Sequence, residues 1–364
     1  MNVYKKSARG YRGNIVKQKY YTGPITDHFN GNSFNNLTTA EKIKYLNSFD
    51  GIKWYFHMMT NAWTGLTPQV VQAHPREREK ELKVTMIGHA SILLQIEGYN
   101  ILVDPVWSPR IGPVFFIGKK RVNPPGVPFS HLPPIDAVLI THNHYDHMDI
   151  RTLRRLYKKY HPVFFTPLGN DIVLKKHISN KMTIHTMDWF EELFLNHQLK
   201  ITLWPAYHWS ARGIYDRNHA LWGGFIVSSP QYNAYFTGDT SYGDGTIFKQ
   251  IKERFPSLDV AVINIGAYAP RAILKSHHND PEEAVNIFLD CGAKQALGIH
   301  WGTFQLSSEE AYEPVHTLYG VLRDHLLSVN QFIPMRPGQT WRPRSSVIVP
   351  KPVDPAISNE PPKE

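Results

Sequence analysis

Three histidines and one aspartate lie within six residues in the segment Thr141-His142-Asn143-His144-Tyr145-Asp146-His147. An apolar run, residues 137–140, precedes them and is typical of a short buried strand. Alternation along an extended chain places His142 and His144 on the same side, and the following turn can bring Asp146 and His147 towards a second point nearby. This pattern suits two adjacent divalent metals, one held mainly by imidazoles and one by a carboxylate and an imidazole. The alternative is a polar loop in which histidines occur by chance.

Three more residues of ligand type follow this cluster, each shortly after a predicted strand. They are His208 after residues 199–205, Asp239 after residues 234–237 and His300 after residues 296–299. Because open α/β sheets carry their sites at the carboxyl ends of strands, we expect these side chains to lie near the cluster. The chain has one cysteine, Cys291, so no internal disulfide can form and we expect a site of nitrogen and oxygen ligands.

The order of predicted elements favours a layered α/β sandwich, since strands come first and then alternate with helices. Apolar or alternating runs predict strands over residues 84–87, 91–96, 100–103, 137–140, 163–166, 182–185, 199–205, 221–228, 234–237, 260–263 and 296–299. The clearest helix follows Asp280, a predicted N-cap, with Pro281 in the first turn and Glu283 completing a capping box. Two further helices are predicted at about residues 40–49 and 314–327.

We expect three parts in the chain. Residues 1–80 are predicted to be an N-terminal arm and aromatic-rich segment that pack on the core, residues 81–342 the main domain, and residues 343–364 a proline-rich tail. Within the first part, residues 54–66 are aromatic and rich in methionine, which predicts a lid over the core or an apolar surface for lipid chains or a partner subunit. The charged residues 74–81 predict an exposed connector.

Residues 105–134 predict a long loop rich in proline and glycine. Its apolar residues 114–117 stand beside a basic triplet, residues 119–121. This combination fits a loop that touches a membrane and equally fits a buried loop anchor with a solvated flank.

The charge balance favours anionic partners, since 40 Lys and Arg face 31 Asp and Glu to give a formal net charge of +9. Residues 1–20 are basic without any acid and predict a solvated arm, with contact to acidic lipid or nucleic acid as the alternative. The basic residues between 151 and 159 predict the solvated face of a helix, with assistance to phosphate binding as the alternative. No run is long enough to span a membrane and no secretory signal is evident, so we expect a cytoplasmic protein, with peripheral membrane contact possible.

The His-x-His-x-Asp-His pattern of residues 142–147 is accompanied by further short motifs along the chain. The most specific are Ile265-Gly266-Ala267-Tyr268 and Trp301-Gly302-Thr303-Phe304, and others are residues 88–91, 104–105, 132–138, 220–223, 237–240 and 280–284. Together they resemble the N-acyl-phosphatidylethanolamine-hydrolysing phospholipase D group of the metallo-β-lactamase superfamily, over about residues 84–340. The resemblance implies the αββα four-layer sandwich of that superfamily for residues 81–342.

The resemblance also implies a binuclear site with two zinc ions, although other divalent metals would fit. One ion is bound by His142, His144 and His208, the other by Asp146, His147 and His300, and both by Asp239. A hydroxide that bridges the two metals would then attack the phosphorus of a phosphodiester. Asp146 and Asp239 are the implied catalytic residues, and Asp146 could also orient the nucleophile or move a proton.

Three residues near the predicted site are candidates for contact with substrate. His278 matches a family position near the substrate phosphate, where it could act in catalysis or in binding, and the alternative is a structural histidine beside a helix. His89 is expected close to the site, with support of a metal ligand favoured over direct binding. Tyr268 could border the substrate pocket.

The resemblance implies a phosphodiesterase of the phospholipase D type. It would hydrolyse N-acyl-phosphatidylethanolamine or a related glycerophospholipid to an N-acylethanolamine or other alcohol and phosphatidic acid. The expected partners are the phospholipid and a membrane surface, with a homodimer possible and no nucleic acid. The alternatives are a hydrolase of the same fold for another ester, a lactone or a cyclic phosphodiester, and then a nuclease, which lacks support because no separate basic RNA-binding module is evident. A non-catalytic binding protein is the weakest reading, because all seven ligand residues are present.

Overall fold

The computed structural model describes residues 15–37, 63, 68, 70–114 and 117–343. Several sequence predictions lie outside the described residues. They are the helix over residues 40–49, the aromatic stretch 54–66 apart from Trp63, residues 115 and 116 of the long loop, and the tail after residue 343.

Two seven-stranded sheets form the centre of the described part of the chain. The first contains, in spatial order, β10 (Ile184–Met187), β9 (Val163–Pro167), β8 (Ala137–Leu139), β5 (Tyr99–Val103), β4 (Ser91–Ile96), β3 (Lys83–Gly88) and β18 (Thr340–Trp341). The second contains β11 (Glu192–Phe194), β12 (Lys200–Trp204), β13 (Gly224–Ser228), β14 (Asn233–Phe236), β15 (Val260–Asn264), β16 (Gln295–Ile299) and β17 (Phe332–Pro334). Both sheets are mixed: β5, β8, β9 and β10 are parallel neighbours, as are β14 to β17, and the remaining pairs are antiparallel.

Two small hairpins lie outside these sheets. They are β1 (Ile15–Lys17) with β2 (Thr22–Pro24), and β6 (Arg110–Ile111) with β7 (Lys119–Lys120). The second hairpin and a 3-10 helix, Phe129–His131, give regular structure to the predicted loop 105–134. Val114 and Ile117, beside the hairpin, are 43% and 51% exposed, so these two residues are not a buried anchor.

Helices cover the outer face of each sheet. On the first sheet these are α1 (Ile150–Tyr160) and α2 (Asn170–His177), and on the second they are α3 (Thr246–Arg254), α5 (Pro281–Cys291) and α6 (Glu313–Asp324). A short helix, α4 (Arg271–Leu274), precedes α5. The core between the sheets is built from the inward side chains of both, for example Leu94 and Phe165 of the first and Leu203 and Phe236 of the second. The layers therefore run helix, sheet, sheet, helix, and the predicted four-layer α/β sandwich is confirmed.

Most predicted elements are present, and the differences have local causes. The strand predicted over residues 221–228 begins only at Gly224, because Leu221 N–H donates to Leu168 O and Gly223 N–H donates to Thr141 O instead of joining the sheet ladder. The strand predicted over residues 182–185 is found at Ile184–Met187.

Helices α2 and α3 were not singled out from the sequence. Each begins after a glycine, Gly169 or Gly245, that makes no side-chain cap, so the usual sequence signal for a helix start is missing. Helix α5 shows the opposite case, because the Asp280 carboxylate accepts from Glu283 N–H at 2.9 Å, as predicted for its N-cap.

The N-terminal residues that are described pack on the main domain. Phe29 and Phe34 are fully buried in the core between the sheets, and Tyr20 donates its hydroxyl to Asp216 at 2.8 Å. The solvated arm expected for residues 1–20 is described only from residue 15 onwards, where Ile15 is 74% exposed, and it stays a prediction. The connector 74–81 is exposed except at Pro75, which is partly buried, and at Glu79, which is buried and pairs with Lys83 at 3.3 Å and Arg342 at 2.8 Å.

Trp63 also contacts the main domain, since its backbone N–H donates to Gln305 at 2.8 Å and its indole N–H to Glu309 O at 3.1 Å. The division of the chain at residues 80 and 342 stays a prediction. Among the described ranges, no helix has the length and apolar character needed to cross a membrane.

Candidate metal centre

Four strands place the predicted ligands at one edge of the sandwich. The histidine cluster follows β8 of the first sheet, while His208, Asp239 and His300 follow β12, β14 and β16 of the second. Gly238 allows the chain to turn sharply just before Asp239, because its φ is +60° and a Cβ there would lie 2.8 Å from Thr141 Cβ. Only glycine fits both requirements at this approach of the two sheets.

One group of donor atoms is built from three imidazoles and a carboxylate. The Nε2 atoms of His142 and His208 lie 2.8 and 3.2 Å from His144 Nδ1. The same two Nε2 atoms lie 3.9 and 3.7 Å from Asp239 Oδ2. The ligand atoms of this group all lie within 4.8 Å of one another.

A second group lies on the other side of the same aspartate. The Nε2 atoms of His147 and His300 are each 3.5 Å from Asp146 Oδ2. They lie 3.2 Å from Asp239 Oδ2 and Oδ1, respectively. Asp239 therefore presents its carboxylate to both groups.

The donor atoms fit divalent metals in both groups. Ligand atoms about 2.0–2.1 Å from a tetrahedral metal are about 3.4 Å apart, and the separations given above are 2.8–3.9 Å in the first group and 3.2–3.5 Å in the second. Buried atoms at the centre also lack a hydrogen-bond partner, including His147 Nε2, His300 Nε2 and Asp239 Oδ1. Buried polar atoms are rarely left unpaired, and a bound metal would satisfy these atoms.

The remote nitrogens of three imidazoles are held by neighbours that turn the ligand nitrogens inward. His147 Nδ1 donates to Asp104 Oδ2 at 2.7 Å, and His208 Nδ1 donates to His277 O at 2.9 Å. Thr141 Oγ1 donates to Asp104 Oδ2 at 2.7 Å and so accepts from His142 Nδ1 at 2.9 Å. With the proton on Nδ1, each Nε2 carries the lone pair that a metal requires.

Asp104 and Thr141 are the functional residues that sequence reasoning missed. Asp104 was quoted only as part of a family motif, although it stands at the carboxyl end of β5, directly beside β8 in the sheet. This position could have indicated that Asp104 lies near the histidine cluster, because neighbouring parallel strands end at the same edge of a sheet. The Asp104 carboxylate accepts from Thr141 N–H and Oγ1 as well as from His147. It therefore connects residues 141–147, the ligand loop, to β5.

The three candidates for substrate contact have different surroundings. His278 faces the centre, with its Nδ1 3.9 Å from Asp239 Oδ2 and without a hydrogen-bond partner. His89 is fully buried, and its Nε2 lies 2.9 Å from Asp146 Oδ2, as expected for support of a ligand. The Tyr268 hydroxyl donates to Glu313 Oε1 at 2.8 Å, so it is engaged by α6 and its role in substrate binding stays a prediction.

Burial lowers the pKa of the buried imidazoles, whereas neighbouring carboxylates raise it. Burial, together with the neighbouring histidines, holds the pKa of His142 and His208 well below the usual value, which keeps these rings in the neutral form that binds metal. Burial also lowers the pKa of His300, but Asp239 and Asp146 outweigh it and raise the pKa to about 9. Metal binding at His300 would therefore displace a proton.

Known proteins with similar sequences indicate the family to which this chain belongs. The model of the β-lactamase superfamily domain matches residues 99–301, a range that contains all seven ligand candidates. The chain is 36% identical over 277 residues to N-acyl-phosphatidylethanolamine-hydrolyzing phospholipase D 1 of Caenorhabditis elegans, covering 72% of this chain and 76% of the relative. It is 32% identical over 245 residues to the mitochondrial N-acyl-phosphatidylethanolamine-hydrolyzing phospholipase D of Saccharomyces cerevisiae, covering 64% of this chain and 50% of that protein.

Solved structures with lower identity show the same fold. The isothiocyanate hydrolase from Delia radicum gut bacteria matches with a TM-score of 0.56 at 19% identity, covering 71% of this chain and 98% of that one. Igni18, a metallo hydrolase from Ignicoccus hospitalis, matches with a TM-score of 0.53 at 20% identity, covering 71% of this chain and 97% of that one. With the metal-binding geometry, these relationships show that the chain is a metal-dependent hydrolase that belongs to the N-acyl-phosphatidylethanolamine-hydrolysing phospholipase D-like family of the metallo-β-lactamase superfamily.

Proposed function

We propose that this protein is a phosphodiesterase of the phospholipase D type that uses two zinc ions. Its substrate is N-acyl-phosphatidylethanolamine or a related glycerophospholipid, and its products are an N-acylethanolamine, or another alcohol, and phosphatidic acid. The observation that carries the proposal is the convergence of two donor groups on the single carboxylate of Asp239. The names of the worm and yeast relatives supply the substrate class.

The residues of the chain have distinct tasks in this reaction. When bound, two divalent metals lower the pKa of a water and neutralise the oxygens of a displacement at phosphorus. Asp239 and Asp146 hold the two donor groups together, and His89 orients Asp146 through its contact at 2.9 Å. His278 presents an unpartnered Nδ1 towards the centre, where it can donate to a phosphate oxygen of the substrate.

The substrate also implies contact with a membrane surface. Val114 and Ile117 expose apolar side chains beside β6 and β7, and the net charge of +9 favours an acidic surface. We propose a cytoplasmic enzyme that binds the bilayer peripherally, and a homodimer is compatible with this arrangement.

The proposal is tested by incubating the protein with N-acyl-phosphatidylethanolamine in mixed micelles in ¹⁸O-labelled water, with the bound metal measured. We expect N-acylethanolamine and phosphatidic acid, with the label in phosphatidic acid, because the new bond forms at phosphorus and the P–O bond to the alcohol breaks. Asp239→Asn should abolish turnover, since an amide cannot give two acceptor oxygens to the two donor groups.

Asp259→Asn is the matched control, because Asp259 is also buried but lies just before β15, at the end of that strand away from the centre. It should retain both metals and full turnover. Label in the alcohol would contradict attack at phosphorus. Turnover of a generic phosphodiester without turnover of the lipid would retain the metal centre and reject the lipid substrate.

A further inference from the structure

A cavity of about 390 Å³ lies beside the ligand loop, on a side separate from the metal centre. Its walls come from the N-terminal segment, from residues 108–114, from residues 145–154, from α2 and from Arg212. None of the seven ligand candidates lines it, although Tyr145 does and stands in the chain between His144 and Asp146. We call it the basic cavity because of the charges described next.

The walls of the basic cavity carry a large excess of positive charge. Six cationic side chains line it, namely Lys19, Arg110, Arg151, Arg154, Lys176 and Arg212. The single carboxylate in the walls, Asp149, already accepts from Arg151 N–H at 3.1 Å, Ser108 N–H at 3.0 Å and the Thr152 hydroxyl at 2.6 Å. One carboxylate that is occupied by neutral donors leaves the cavity strongly cationic.

Several of these cations are held in place by neutral groups. Arg212 donates to Asn143 O at 3.1 Å and Met148 O at 2.8 Å, and its guanidinium lies 4.0 Å from the centre of the Tyr145 ring. Arg110 donates to Gly118 O at 3.0 Å, and Arg154 donates to His177 O. Carbonyl and aromatic contacts orient a guanidinium without neutralising it, so these side chains keep their charge for a ligand.

Two further acids, Asp171 and Asp216, lie near the walls. Asp171 pairs with Lys175 at 2.7 Å. Asp216 accepts from the Tyr20 hydroxyl at 2.8 Å and from Arg212 N–H, and it therefore offsets part of the charge of Lys19 and Arg212. The pKa of His177, at the same wall, is lowered first by burial and then by the charges of Lys176, Arg212 and Arg154. The lowered pKa of His177 is a second indication of positive electrostatic potential at this position.

Apolar side chains border the cationic walls. Ile111, Pro113 and Val114 line the cavity, as does Ile172 of α2. Val114 and Ile172 are 43% and 40% exposed, respectively. A free inorganic anion would use the cations alone, whereas a phosphate group attached to acyl chains would use both kinds of surface.

From these observations we propose that the basic cavity binds the phosphate group of an anionic membrane phospholipid, independently of the metal centre. Arg154, Lys176 and Arg110 contact the phosphate oxygens, and the acyl chains lie against Val114 and Ile172. This gives part of the basic helix α1 a specific task. Arg155, by contrast, packs 3.8 Å from the centre of the Phe129 ring and does not line the cavity.

The position of the cavity has a consequence for the metal centre. Tyr145 belongs to the ligand loop, and its hydroxyl donates to Arg212 O at 2.6 Å. A lipid held at the other face of this loop brings the bilayer surface next to the segment that carries His144 and Asp146. The cavity thus serves as a docking site that holds the protein on acidic membranes with the ligand loop towards the lipid.

The proposal is tested by sedimentation with vesicles of phosphatidylcholine alone and of phosphatidylcholine with phosphatidic acid. The variant Arg154→Gln with Lys176→Gln removes two exposed cations of the cavity and should weaken binding to the acidic vesicles by about tenfold or more. The matched control, Lys158→Gln with Lys181→Gln, removes two exposed cations that do not line the cavity and should weaken it much less. The metal content and the unfolding temperature of both variants should equal those of the unchanged protein.

Three outcomes would overturn the proposal. An equal loss of binding in both double variants would mean diffuse attraction by the net charge, and no loss in the cavity variant would mean that another surface holds the lipid. Calorimetric binding of inorganic phosphate, lost in the cavity variant without any change in vesicle binding, would assign the cavity to a free anion. If the double variant fails to fold, Lys176→Glu alone places a like charge against the phosphate and should weaken binding by a similar factor.

Discussion

Replacement of Asp104 by asparagine tests whether this residue controls the metal centre from outside the ligand set. Its carboxylate accepts three hydrogen bonds, from Thr141 N–H at 2.8 Å, from Thr141 Oγ1 at 2.7 Å and from His147 Nδ1 at 2.7 Å. An asparagine offers one oxygen in place of two. In either orientation of the amide, its NH₂ group therefore faces a group that now donates to Asp104.

The orientation that places the amide nitrogen at His147 has the larger effect. His147 Nδ1 would then have to accept, so the proton would move to Nε2, the atom that faces Asp146 and Asp239. Loss of a hydrogen-bond partner of this kind typically weakens metal binding by about 10–100-fold, which corresponds to about 1.4–2.7 kcal/mol. We expect Asp104→Asn to show this loss mainly at the metal bound by Asp146, His147 and His300.

The assay is a titration of metal against a competing chelator, with the two binding steps resolved. Asp216→Asn is the matched control, because Asp216 is also buried and accepts from Tyr20 and from two backbone N–H groups, but contacts no ligand candidate. Unchanged affinity for both metals in Asp104→Asn would refute the reasoning, and an equal loss in Asp216→Asn would show that the effect is general destabilisation.

Two further predictions concern the stability of the fold. Burial lowers the pKa of His28, but Asp188 and Asp27 outweigh it and raise the pKa above the usual value, so the stabilising charge is present at low pH and is lost as pH rises through the raised pKa. Urea unfolding should therefore show that His28→Gln destabilises the protein more at pH 5.5 than at pH 8.5, and an equal difference at both pH values would contradict this. Leu94→Ala opens a cavity between the sheets and should lower the free energy of unfolding by about 2–5 kcal/mol. Leu326→Ala, at a position 94% exposed, should change it by less than about 0.5 kcal/mol. Similar effects of the two changes in urea unfolding would be inconsistent with this packing.

The strands that carry the ligands were predictable because their side chains alternate or are continuously apolar. Residues 199–205 and 296–299 were predicted to be strands, and they contain β12 and lie within β16, respectively. The start of β13 was not predictable, since residues 221–223 are as apolar as a strand but bond to loops of the first sheet. A pattern of hydrophobicity reports burial, and the partner of a backbone N–H depends on the rest of the fold.

The basic side chains of α1 show the same distinction. Their spacing predicted a helix with a charged face, and the helix is present at Ile150–Tyr160. That Arg154 lines a cavity while Arg155 packs on Phe129 could not be read from two adjacent arginines. Successive residues of a helix point in directions about 100° apart, so Arg154 lines the cavity with residues of α2 and the loop 108–114 while Arg155 lies against Phe129.

The sequence by itself determined the kinds of metal ligand, because the donor atoms belong to residue types, and it determined their place after strands, because hydrophobic period reveals the strands. The tertiary structure decided that Asp239 lies between the two donor groups and that Asp104 holds His147. These contacts join residues that are far apart in the chain, across the two sheets for Asp239 and across neighbouring strands of the first sheet for Asp104. Their distances are set by how the strands pair and how the sheets pack, which no local pattern of residues encodes.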